Sequence, residues 1–120
     1  MPFVAEDLAI QLIEHLRPLV AQVARHDRDL ANQIRRAASS VALNLGESRG
    51  RAGCDRSHCI RIAAGSACEV GSALRVASAW GYLDPASVTP ARGLIDRLGA
   101  ILWRLAPPMG AKGRGGARQV

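Results

Sequence analysis

Apolar residues recur at three- and four-residue intervals in four separate stretches, a spacing that gathers each set on one face of an α-helix. In the first stretch Leu8, Leu12, Leu16, Val20 and Val23 form the stripe, with Glu6, Glu14, His15, Arg17 and Gln22 on other faces, so a helix is expected from Val4 to about Ala24. Pro18 falls inside it. An interior proline removes a backbone hydrogen bond at a cost of about 3 kcal/mol, so a kink or an early end is expected there.

Asp27 or Asp29 caps the second stretch, whose stripe is Leu30, Ile34, Ala37 with Ala38, Val41 and Leu45. Gly46 reads as its stop, and the polar, glycine-rich run from Gly46 to Asp55 reads as a loop. A third helix is expected from about Asp55 to Trp80 on Ile60, Ala63, Ala67, Val70, Leu74 and Ala77. Small residues crowd its middle and let a neighbouring helix come close, although Gly65 and Gly71 each weaken the helix by up to about 1 kcal/mol. Asp84 suits an N-cap and Pro85 the first helical position, while Thr89-Pro90 offers a second start. The fourth helix carries Leu94, Ile95, Leu98, Ile101, Leu102 and Leu105 and stops at Pro107-Pro108.

Length and composition place these helices in one unit. A chain of 120 residues buries a single core. Aromatics are only 3%, so the core is aliphatic and small, which helix packing accepts more easily than sheet packing. The expected fold is all-α, an antiparallel up-down-up-down four-helix bundle over residues 1–106. Residues 107–120 have almost nothing to bury and are expected to be a disordered basic Gly/Arg tail.

Sixteen Lys+Arg against ten Asp+Glu give a formal charge of +6, which points to an anionic partner. Lys112 is the only lysine. Cys54, Cys59 and Cys68 are odd in number and fit neither a disulfide framework nor paired zinc knuckles, consistent with a reducing cytoplasm. Glu6 and Asp7 stand where a signal peptide is basic, and no apolar run approaches the roughly 20 residues that span a bilayer. A soluble, cytoplasmic protein is expected.

Three motifs occur in order: L-A-N-Q-I-R-R-A-A-S-S-V-A-L-N-L-G-E-S-R-G-R from Leu30 to Arg51, then I-A-A-G-S-A-C-E-V, then G-Y-L. Together they make the chain, from about Leu8 to Leu105, resemble the small bacterial four-helix-bundle proteins of the 23S rRNA intervening-sequence family, which includes the accessory variability proteins of diversity-generating retroelements. The resemblance implies a cytoplasmic, non-enzymatic bundle that assembles as a barrel-shaped homopentamer with a basic surface. It also implies association of accessory members with nucleic acid and with a reverse transcriptase.

Candidate sites follow from the residue types. Cys54 and His58 share a helix face beside Cys59, but two ligands do not make a zinc site, and a third would have to come from His15 or His26. Cys59 and His58 as nucleophile and base point about 100° apart on a helix and share a proton poorly. Nothing resembles a phosphate-binding glycine loop or a nucleophile elbow. No metal, cofactor or catalytic activity is expected.

Ser40, Asn44 and Glu47 on the second helix, with Ser66 and Glu69 on the third, are expected to form a polar seam that fixes register within the bundle or between subunits. The competing reading makes Glu47 and Glu69 a carboxylate pair. Arg35, Arg36, Arg49, Arg51 and Arg56 on the second helix, its exit loop and the start of the third are candidates for phosphate contact. Lys112, Arg114 and Arg118 in K-G-R-G-G-A-R resemble an RGG-type segment, which binds nucleic acid through charge and flexibility. The expected function is a nucleic-acid-binding accessory or scaffold acting through phosphate contacts on a homo-oligomer, with Trp80 or Trp103 among the subunit contacts. The alternative is an adaptor whose basic face docks an acidic protein.

Overall fold

A computed structural model describes residues 3–107. Four α-helices follow one another, α1 (Val4–Ala24), α2 (Arg28–Arg49), α3 (Gly53–Ala79) and α4 (Thr89–Leu105), with a short 3₁₀ turn at Pro85–Val88 before the last. Each helix packs on its neighbour in sequence, and α4 closes against α1. This is the contact pattern of an up-down bundle. The polypeptide expected to form a basic tail lies, apart from Pro107, outside the described residues.

The N-terminal signals act as expected on α2, where Asp27 is extended and its carboxylate accepts from the Leu30 amide at 2.9 Å. Before α4 both candidate starts are used in succession. Asp84 accepts from the Ala86 amide at 3.3 Å and opens the 3₁₀ turn, and α4 begins at Thr89. Between α3 and that turn Gly81 adopts φ +82°, a left-handed position that a side chain disfavours. Its neighbour Tyr82 donates its amide to the Ala77 carbonyl at 2.9 Å, so α3 ends in a Schellman-type closure.

Two expected helix ends do not occur. Pro18 neither ends nor shortens α1, which continues to Ala24. It stands with Glu14 on the exposed face, where water can replace the missing amide. Nor does Gly46 stop α2, which continues to Arg49 and ends at Gly50. Gly46 is instead a contact position: a Cβ there would lie 3.2 Å from the Glu6 carboxylate of α1. The same turn is fastened by Arg49 Nε, 3.1 Å from Glu6, and by the buried Ser48 hydroxyl, which donates to the Leu45 carbonyl at 2.7 Å. The expected loop of residues 46–55 therefore shrinks to residues 50–52, and α3 starts at Gly53, whose φ of +60° makes the corner.

The core is aliphatic. Leu12, Ile34, Leu45, Ile60, Leu74 and Leu98 are among its fully buried side chains. α2 and α3 share the most extensive helix contact, and buried alanines on both (Ala37, Ala38, Ala63 and Ala67) bring their axes together. Close approach does not extend to every small residue of α3. A Cβ on Gly65 meets nothing within 4 Å, nor does one on Gly93 of α4. Gly65→Ala and Gly93→Ala should therefore each raise the unfolding free energy in urea by about 0.5–1 kcal/mol, the helix propensity difference alone. A loss at either position would show that something packs there.

Candidate nucleic-acid interface

Ser66 donates its hydroxyl to Ser40 Oγ across α2 and α3 at 2.8 Å. Asn44 Nδ2 donates to the Ser40 carbonyl at 2.9 Å and lies 3.1 Å from Ser40 Oγ, so three half-buried polar side chains form one network. Glu47 and Glu69 stand outside it: Glu47 pairs with Arg51, and Glu69 is exposed. The seam is uncharged, and the carboxylates give no facing pair. Beside it on the same helices are Leu43, 71% exposed, and Ile62, 39% exposed. Ser40→Ala leaves the Ser66 hydroxyl without its acceptor and should cost about 0.5–1.5 kcal/mol. In a double-mutant cycle with Ser66→Ala, additive losses would mean that the two hydroxyls act independently.

The arginines divide by partner. Arg49 is paired with Glu6 at 3.1 Å and Arg51 with Glu47, four residues earlier in the chain. Hydrogen bonding to Glu47, and then its charge, raises the Arg51 pKa from its ordinary value. Arg49 at the end of α2 and Arg51 in the loop therefore meet a carboxylate before they meet a ligand. On α2, Arg35 donates to the neutral Asn32 Oδ1 at 3.0 Å and Arg36 is exposed. Arg56 is half-buried at the start of α3. Among the described residues only Arg49 and Arg51 form ion pairs. Lys112, Arg114 and Arg118 lie outside the described residues.

Tertiary packing also assembles arginines that are far apart in the chain. Arg17 and Arg35 line a groove of about 310 Å³ between α1 and α2. Arg75 of α3 and Arg92 of α4 line a cleft of about 210 Å³ with Ser78, Pro85 and Val88. The same two arginines border a second recess of about 270 Å³, together with Asp96. The Ser78 hydroxyl oxygen is buried without a hydrogen-bond partner among the described residues. Neither Arg75 nor Arg92 stands out in the sequence, because they lie on different helices with the α3–α4 turn between them. Their convergence depends on the rotational phase of α3 and α4.

The histidines and cysteines are dispersed. Cys54 and His58 are exposed and Cys59 is buried; Cys68, also exposed, lies further along α3. His15 Nδ1 is 3.0 Å from the Gln11 carbonyl, and His26 stacks on Tyr82 in the α1–α2 turn. Among the described residues no three His, Cys, Asp or Glu side chains converge, and no helix is long and apolar enough to cross a membrane.

Over residues 4–104 the chain is similar to the family described as 23S rRNA-intervening sequence protein. Neither a curated protein nor a solved structure matches it.

Proposed function

We propose, because this chain belongs to the 23S rRNA-intervening sequence protein family, that it is a small basic scaffold which binds nucleic acid through phosphate contacts and catalyses no reaction. The observation that carries this reading is the state of the arginines. With a formal charge of +6, Arg35, Arg36, Arg75 and Arg92 form no ion pair among the described residues, and two of them converge on one cleft between helices. A guanidinium presents a planar fork that suits phosphate oxygens, and several such contacts release counterions from a nucleic-acid backbone.

The scaffold works as a homo-oligomer in this reading. Leu43 and Ile62 offer exposed aliphatic surface beside the uncharged Ser40–Ser66 contact, and Trp103 is 54% exposed beside an apolar groove between α3 and α4. Assembly multiplies the number of phosphates neutralised at once. Light scattering on the purified protein should give a mass several times 12.7 kDa. A mass at the single-chain value refutes the assembly.

Filter binding with duplex DNA and with structured RNA tests the ligand class. Affinity should fall linearly on logarithmic axes as salt rises, with a slope of about −0.9 for each phosphate neutralised on duplex DNA. Absence of binding at about 50 mM salt would sink the proposal. Binding confined to acidic proteins would favour the adaptor alternative.

A further inference from the structure

The whole chain holds two tryptophans, one tyrosine and one phenylalanine. Two of these four aromatic residues, with one histidine, meet at one end of the bundle. His26 in the α1–α2 turn stacks on Tyr82 in the turn after α3, with ring centroids 4.9 Å apart and planes 4° from parallel. Tyr82 also stacks with Trp80, at 6.4 Å and 17°. Trp80 is nevertheless 70% exposed, the most exposed aromatic side chain described, and His26 is exposed as well.

This arrangement does little for the core. A tryptophan left so open in a bundle built of leucine, valine and alanine gives up most of the burial its ring offers. The three rings nevertheless lie near parallel, on turns whose backbone is defined. Gly81 at φ +82° and the Tyr82-to-Ala77 hydrogen bond fix the turn that carries Trp80 and Tyr82. The outcome is an exposed, pre-oriented π-surface at the bundle end, and Arg25 and Arg28 flank His26 in the sequence and are exposed. Neither arginine is in an ion pair among the described residues. Of the nearby carboxylates, Asp27 is committed to the Leu30 amide and Asp84 to the Ala86 amide, while Asp29 is exposed.

We propose that the His26–Tyr82–Trp80 stack is a platform for an unpaired nucleobase, which lies against Trp80 while Arg25 and Arg28 take the adjoining phosphates. The ligand is single-stranded nucleic acid. Every base has a π-face to offer, but in a duplex those faces are covered by neighbouring base pairs. The platform takes its ligand class from the reading above, yet it uses none of the arginines on which that reading rests. It adds a distinction between single and double strands that phosphate contacts alone do not make.

Trp103→Phe in the full chain leaves Trp80 as the only tryptophan, so its emission reports on the platform. Titration with oligothymidylate of about ten nucleotides at low salt should quench that emission, and a duplex of the same length should not. Trp80→Ala should weaken oligothymidylate binding roughly 5- to 100-fold while duplex binding stays unchanged, and Trp80→Phe should recover part of the loss. Trp80 is exposed, so these variants should keep the helical circular dichroism of the parent. Oligothymidylate binding without quenching, or with unaltered affinity in Trp80→Ala, overturns the platform and leaves the phosphate-binding reading intact. Binding of neither strand form overturns both. Emission that shifts with protein concentration in the absence of nucleic acid would assign the ring to a second copy of the chain and also overturn the platform.

Discussion

Arg75→Glu combined with Arg92→Glu should lower duplex affinity at least about tenfold at low salt and make the slope of log affinity against log salt shallower by about two. Both side chains line the cleft between α3 and α4, so their reversal replaces two convergent positive charges with two negative ones beside Asp96. Neither contributes to the core, and circular dichroism should be unchanged. The companion variant, Arg49→Ala with Arg51→Ala, should weaken binding less than Arg75→Ala with Arg92→Ala. The Arg49 and Arg51 guanidiniums sit against Glu6 and Glu47, which already compensate their charge and would repel an approaching phosphate. Such exposed pairs are individually weak, about 0–1 kcal/mol, so the expected contrast is a few-fold. Equal losses from both pairs would place the loop and the cleft on one footing. An unaltered salt slope after double reversal would remove Arg75 and Arg92 from the interface.

Leu98→Ala should cost about 2–5 kcal/mol in urea or thermal unfolding, a large part of the 5–15 kcal/mol that typical domains possess. Leu98 is fully buried in the stripe by which α4 meets both α1 and α3. Removing its three distal carbons leaves a void that neighbouring helices cannot close without moving. Leu43→Ala is the contrasting case. At 71% exposure it should change the stability of a single chain by less than about 0.5 kcal/mol. If α2 and α3 present a subunit contact there, the same substitution should lower the assembled mass in light scattering at a given concentration. A costly Leu43→Ala with no change in mass would assign the side chain to folding alone.

The helices were legible in the sequence because burial follows a period that can be read directly. Leu12, Ile34, Ile60 and Leu98 all lie on stripes recognisable from spacing, and all are fully buried. Asp27, Asp84 and Pro107 punctuate the chain as their chemistry dictates. Pro18 and Gly46 do not, for a shared reason. Each is a weak helix residue whose penalty depends on surroundings: an exposed face at Pro18, and the Glu6 side chain against Gly46. Propensity carries no information about either neighbour.

At the candidate interface, residue type was a poorer guide than partnership. Arg35, Arg36, Arg49, Arg51 and Arg56 look alike as letters, yet Glu6 selects Arg49 from a helix more than forty residues earlier. Ser40 and Ser66 were recognisable as polar positions on packed helices, and they do meet. Glu47 and Glu69 occupy compatible positions in the sequence, but Glu47 pairs with Arg51 and Glu69 is exposed. The ring stack was the least visible feature of all, since His26 reaches Tyr82 only because two turns fall at the same end of the bundle.

An even number of helices returns the chain to the end from which it set out. Val4 and Leu105 therefore lie at the end that carries the α2–α3 loop, whereas His26, Tyr82 and Trp80 lie at the other. The 27 residues of α3 separate those ends by about 40 Å at the helical rise of 1.5 Å per residue. A surface tether or dye attached next to Val4 thus leaves the ring stack facing away from the attachment. The fold supplies its own orientation for immobilised binding measurements and a long baseline for energy transfer to a label carried by the bound strand.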